Sequence, residues 1–161
     1  MRDSQKWREY RFENLILHPM LDQAKETLTQ DECLLLVKRS RELFGFANVP
    51  IQFSNHSRRW ARAWISHIVL PPWAMTPLTV MHEVAHTMTQ PYKHGPYFVR
   101  AFLILVARYY GVSLRALKAL AREHRVKVAG SFPPGRGFSL EMCGAKPAPR
   151  VRFPKSRRVR A

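Results

Sequence analysis

The chain has 161 residues, 46% of them hydrophobic, which is enough for one core of ordinary size. Two cysteines exclude a disulfide scaffold, and residues 1–10 are charged and lack the apolar stretch of a secretory leader. A formal net charge of +16 points to polyanionic partners, and the longest apolar run, residues 101–107, is far too short to span a bilayer. The expectation is a cytoplasmic protein with no membrane partner.

In chain order, residues 3–17 read as a helix with Trp7, Tyr10, Asn14 and Leu17 near one face, ended by His18-Pro19. A second helix opens on the capping box Thr29-Gln30-Asp31-Glu32 and runs through Leu36, Leu43 and Phe44 to Gly45. The period then changes. Ile51 and Phe53 alternate with polar residues, Trp60, Arg62 and Trp64 do the same, and Ile68-Val69-Leu70 is a short apolar run closed by two prolines. These predict three short strands in an antiparallel meander, with Trp60 and Trp64 as core or cleft wall.

The next segment carries the chemistry. Thr76 and Pro77 suit the N-cap and first position of a helix, and Leu78, Met81, Ala85 and Met88 recur at three- and four-residue spacing. That helix, ended by Pro91, contains His82-Glu83-Val84-Ala85-His86, an H-E-x-x-H motif. Residues four apart share a helix face, so His82 and His86 can aim two imidazoles at one metal ion. Glu83 beside them is placed as general base toward a water activated by that ion. An open zinc site takes three protein ligands, and the third is expected from His94, on the loop after the helix. Glu83 is the single carboxylate between Glu42 and Glu123, so a glutamate ligand would have to come from Glu123 or Glu141. Cys143 and His124 lack supporting context. Beyond the loop, residues 96–110 read as a helix with Phe98, Phe102 and Leu105 buried, stopped by Gly111. Ser113 then caps a last helix, 114 to about 124.

His82-Glu83-x-x-His86, seven residues, then His94-Gly95-x-x-Phe98 resembles the SprT-like and minimal zincin metallopeptidases. The chain is closer still to a small group of metallohydrolases from actinobacteria and their phages. It shares with that group the opening Arg2-Asp3-x-Gln5, the Leu70-Pro71-x-Trp73 before the active helix, and His94-Gly95-Pro96-x-Phe98. The resemblance implies a zinc site with Glu83 as general base, and a strand edging the cleft that pairs with an extended peptide substrate. The four-cysteine ribbon of the SprT-like proteins has no counterpart, since Cys33 and Cys143 are the chain's two cysteines.

The charge is unevenly placed. Eight of the eleven acids fall within the first 42 residues, while residues 146–161 carry seven cations and no acid. Prolines 147, 149 and 154 oppose helix there, so residues 129–161 are expected to be a largely disordered basic tail behind a zincin-like domain of residues 1–128. The tail would bind nucleic acid nonspecifically through counterion release.

The expectation is therefore an α+β, minimal zincin-like fold, with a small antiparallel sheet and flanking helices around the active-site helix. Its function would be zinc-dependent hydrolysis of peptide bonds in a peptide or protein substrate, with Zn2+ on His82, His86 and His94. Tyr92, Tyr97 or His124 would stabilise the oxyanion. With no acid nearby in sequence, backbone carbonyls or a carboxylate from the N-terminal helices must orient the imidazoles. The rival reading is a basic nucleic-acid-binding protein with a structural or vestigial metal site. Oligomeric state is not encoded in any feature of the sequence.

Overall fold

A computed structural model describes residues 5–21, 25–56 and 60–133, which fold into five helices and a small three-stranded mixed sheet, an α+β arrangement. None of these helices is long and apolar enough to cross a membrane. From residue 134 onward the basic tail, with Glu141 and Cys143, lies outside the described residues.

The first helix, α1 (Lys6–Phe12), does not stop at His18-Pro19. It continues through a π-helical segment, Glu13–Leu17, into a last turn, His18–Met20. Proline lacks a backbone N–H, and its ring collides with the carbonyl four residues back. The widened π turn shifts the hydrogen-bond ladder just before Pro19 and lets the helix pass it. The buried face also differs from the expected one. Glu9, Phe12, Glu13 and Leu17 point inward, whereas Trp7 and Asn14 are exposed and Tyr10 is half-buried. Hydrophobic periodicity misassigns this helix because two of its inward residues are glutamates.

Helix α2 (Gln30–Glu42) starts with the expected capping box: Thr29 Oγ1 accepts from Glu32 N at 3.2 Å, and Thr29 N donates back to Glu32 at 2.7 Å. Its buried residues include Cys33, Leu36 and Val37, and burial lifts the Cys33 thiol to about 12, leaving it inert.

The strands are β1 (Ile51–Phe53), β2 (Arg62–Ala63) and β3 (Ile68–Leu70). They do not form an antiparallel meander. The order is β1-β3-β2, with β1 parallel to β3 and β2 antiparallel to it. Burial explains the order. Ile68 and Leu70 are completely buried, so β3 takes the centre, while β1 and β2 carry outward polar residues and take the edges. Trp60 and Trp64 are exposed and are not part of the core.

Behind the sheet lies α3 (Pro77–Thr89), packed against α2, the sheet and α4 (Pro96–Tyr110). Every residue of α3 except Thr79 and His86 is buried, so this helix is the centre of the core rather than an amphipathic cover. Thr76 occupies the N-cap, but its hydroxyl donates to Thr79 Oγ1 at 3.0 Å and caps no backbone N–H. Helix α4 ends at Gly111, whose φ of 68° is the left-handed stop expected of glycine. Ser113 caps α5 (Leu114–Glu123) by accepting from Ala116 N at 3.3 Å. The chain then returns across α4: Ala129 N donates to Pro96 O, Arg100 donates to Ala129 O, and Phe132 meets Phe44 edge-on.

Candidate metal centre

Helix α3 presents His82 and His86 one turn apart, and the loop after it brings back His94. One nitrogen from each of the three imidazoles lies within 4.8 Å of the others. The return is made by a tight turn in which Gly95 N donates to Tyr92 O at 2.7 Å. Lys93, at the first central position, has φ 47° and ψ −129°, the geometry of a type II′ turn and a strained one for a residue with a side chain. Gly95 is required by close approach, because a Cβ there would lie 2.7 Å from the Tyr92 carbonyl oxygen.

The imidazoles are tightly held. Nε2 of His86 and Nε2 of His94 are 3.2 Å apart. Zinc–nitrogen bonds of ~2.0–2.1 Å at tetrahedral angles would separate two ligand nitrogens by ~3.3 Å, so this pair fits a zinc ion without rearrangement. Phe98 stacks on His86 at 4.3 Å and meets His82 and His94 edge-on, which fixes all three rings from the α4 side. From the α1 side, Tyr10 lies parallel to His82 at 5.6 Å and edge-on to His94 at 5.0 Å.

Sequence reasoning left open which groups orient these imidazoles. Glu13 Oε2 accepts from His82 Nδ1 at 2.8 Å, and Glu9 Oε1 lies 3.7 Å from the same nitrogen. An ionised carboxylate can only accept, so Nδ1 carries the proton and Nε2 is the nitrogen left for a metal. The second oriented histidine is His94. Gln5 Nε2 donates to the His94 carbonyl at 2.7 Å, while Gln5 Oε1 accepts from Lys127 N at 3.0 Å. Acidic and amide residues recurring at positions 5, 9 and 13, at the four-residue spacing of one helix face, were the available signal.

These contacts set the protonation states. Burial opposes a charge on His82, but the charges of Glu13, Glu9 and Glu83 and the Glu13 hydrogen bond outweigh it and lift the imidazole to about 10. His86 is pushed well below its ordinary range by burial, then by the neighbouring His82, His94 and Lys6, and stays neutral. Burial raises Glu83, opposed by His82 and assisted by Glu13, which makes it a stronger base than an exposed glutamate.

Among the described residues, the converging group includes neither His124 nor Glu123. His124 is exposed and packs against Phe12, and Tyr92 packs against Tyr97. Tyr10, which the sequence places only on a helix face, brings its ring against His82 and His94. No protein-family model, curated protein or solved structure matches the chain.

Proposed function

We propose that the protein is a zinc-dependent metallohydrolase of the minimal zincin type, most simply a metallopeptidase. The observation that carries this reading is the convergence of His82, His86 and His94 within 4.8 Å, with His82 held by Glu13 and Glu83 beside it on the helix. Three nitrogen donors with no thiolate suit an open catalytic zinc site rather than a closed structural one. A zinc ion in this cradle would acidify a water toward pKa ~7 and polarise a carbonyl.

The chain's own residues would do the rest. Glu83, made more basic by burial, takes the proton from the attacking water and returns it to the leaving amine. Glu13 holds the proton on His82 Nδ1 and keeps the ring in register. Gln5 and the Gly95 turn hold His94 against His86. His86, the one half-buried member of the three, marks the side from which solvent and substrate approach. Edge strand β2 is tied to the end of α3 by Gln90, whose amide donates to the Ala63 carbonyl at 2.7 Å.

The test is zinc per chain by elemental analysis, on protein purified without a metal-chelating tag, wild type beside His94→Ala. About one zinc per wild-type chain, with loss from the variant, is expected. Absence of bound metal and of uptake on adding zinc would reject the reading.

A further inference from the structure

The chain has four tryptophans, and all of them are exposed: Trp7 by 77%, Trp60 by 73%, Trp73 by 50% and Trp64 by 40%. Tryptophan is normally highly buried, and the core here is built from Phe, Leu, Ile, Met and Val instead. Two of the four belong to one row. Around β2, Ala61 and Ala63 turn inward and pack on the core, while Trp60, Arg62 and Trp64 turn outward and are exposed. Period-two alternation puts these three side chains on one face, with a span of ~13 Å from the first to the last. The indole of Trp64 is braced by His67, stacked on it at 4.5 Å and 7°, and a backbone bond from Trp64 N to His67 O closes the turn.

We infer that the outward face of β2, with Trp60 and Trp64 as stacking platforms and Arg62 between them, is a binding site for single-stranded nucleic acid. Every unpaired base has a π-face for an indole, and a guanidinium between two indoles meets the phosphate that links two stacked bases. A net charge of +16 supplies the complementary field. A duplex keeps its bases stacked and offers these rings nothing. A lipid surface would favour rings and cations segregated onto separate faces, whereas here the cation lies within the aromatic row. The inference does not rest on the proposed hydrolase function.

The test uses the full chain and fluorescein-labelled oligo(dT) of about 20 nucleotides, a size several stacking sites can share. The same strand as oligo(rU), a duplex of equal length, and vesicles of phosphatidylcholine with phosphatidylserine run beside it. Wild type is expected to bind a single strand at least ~10-fold tighter than the duplex at equal salt. Trp60→Ala with Trp64→Ala should weaken single-strand binding by ~100-fold and leave duplex binding unchanged, and Trp60→Phe with Trp64→Phe should recover most of the loss. Circular dichroism and the melting temperature establish that the variants are folded. Wild-type oligonucleotide affinity in the folded double alanine variant would overturn the proposal. So would a loss confined to vesicle binding, which would assign the face to membranes instead.

Discussion

Gln5 and His94, 89 positions apart, are joined by a 2.7 Å hydrogen bond from a buried side-chain amide to a backbone carbonyl. The same amide closes on the backbone of Lys127 through both its atoms, at 3.0 and 3.2 Å, so one side chain ties the start of α1, the ligand loop and the C-terminal return together. Replacing it with leucine of similar size leaves three backbone groups without this partner, each costing ~1–3 kcal/mol if buried and unsatisfied. Gln5→Leu should lower the urea midpoint measurably, and more so for zinc-loaded than for metal-free protein. An unchanged midpoint in both would show that water replaces the amide.

Glu13 should matter to metal affinity more than to folding. Glu13→Gln keeps the shape but can turn a donor toward His82 Nδ1, which frees the ring to adopt the wrong tautomer. Losing such an orienting carboxylate costs ~10–100-fold in metal affinity. Competition with a chromophoric chelator measures this directly. Equal affinity in variant and wild type would mean that Glu9, 3.7 Å from the same nitrogen, takes over.

The raised His82 gives two pH dependences. Its folded value, about 10, lies above its ordinary 6.5. The stability it contributes to metal-free protein is therefore complete below pH ~6.5 and is lost as pH rises through about 10. Zinc must displace that proton, whereas His86 is already neutral. Loading at pH 7 should release about one proton on account of His82, and zinc affinity should climb up to ~10-fold per pH unit below its pKa. Calorimetry in two buffers of different ionisation enthalpy counts the protons. Buffer-independent heats would contradict a charged His82.

Glu83→Gln separates chemistry from binding. The variant should hold zinc as wild type does, because Glu83 is not among the converging ligands, yet lose ~10²–10⁴-fold in turnover of a fluorogenic peptide library. Retained hydrolysis would remove Glu83 from the general-base role.

Gly95→Ala is the smallest change that should dislodge a ligand. The new methyl would meet the Tyr92 carbonyl oxygen at 2.7 Å, so the turn must open and His94 must move from His86. Reduced zinc retention with near-normal far-ultraviolet circular dichroism is the expected pattern. Wild-type zinc retention would show that the loop absorbs the methyl elsewhere.

The readable parts of the fold are those fixed by local chemistry. The Thr29–Glu32 capping box, the glycine stop at Gly111 and the Pro77 and Pro96 helix starts all depend on residues within a turn of one another. So does the shared face of His82 and His86. The failures are nonlocal. Strand order depends on which run the core buries most, and the completely buried Ile68 and Leu70 draw β3 into the middle against chain order. The inward face of α1 was misread because Glu9 and Glu13 are there for His82, about seventy positions downstream, and no hydrophobic pattern records such a debt. The acid-poor middle of the chain left backbone carbonyls or a carboxylate from the N-terminal helices to orient the rings; which of them does so was not legible.

The hydrogen bonds between Gln5 and Lys127 span 122 positions. During synthesis the first helix leaves the ribosome early; its bonds to His82 and His94 need the chain only as far as residue 94, whereas the Gln5 clasp on Lys127 waits for nearly all of the described chain. His82, His86 and His94 are out together well before that, free to capture an ion on an unfinished scaffold. Metal retention in nascent chains should thus rise in two steps, a loose one once His94 emerges and a firm one after Lys127. The proposed zinc site would then become firm only once residue 127 has joined the fold.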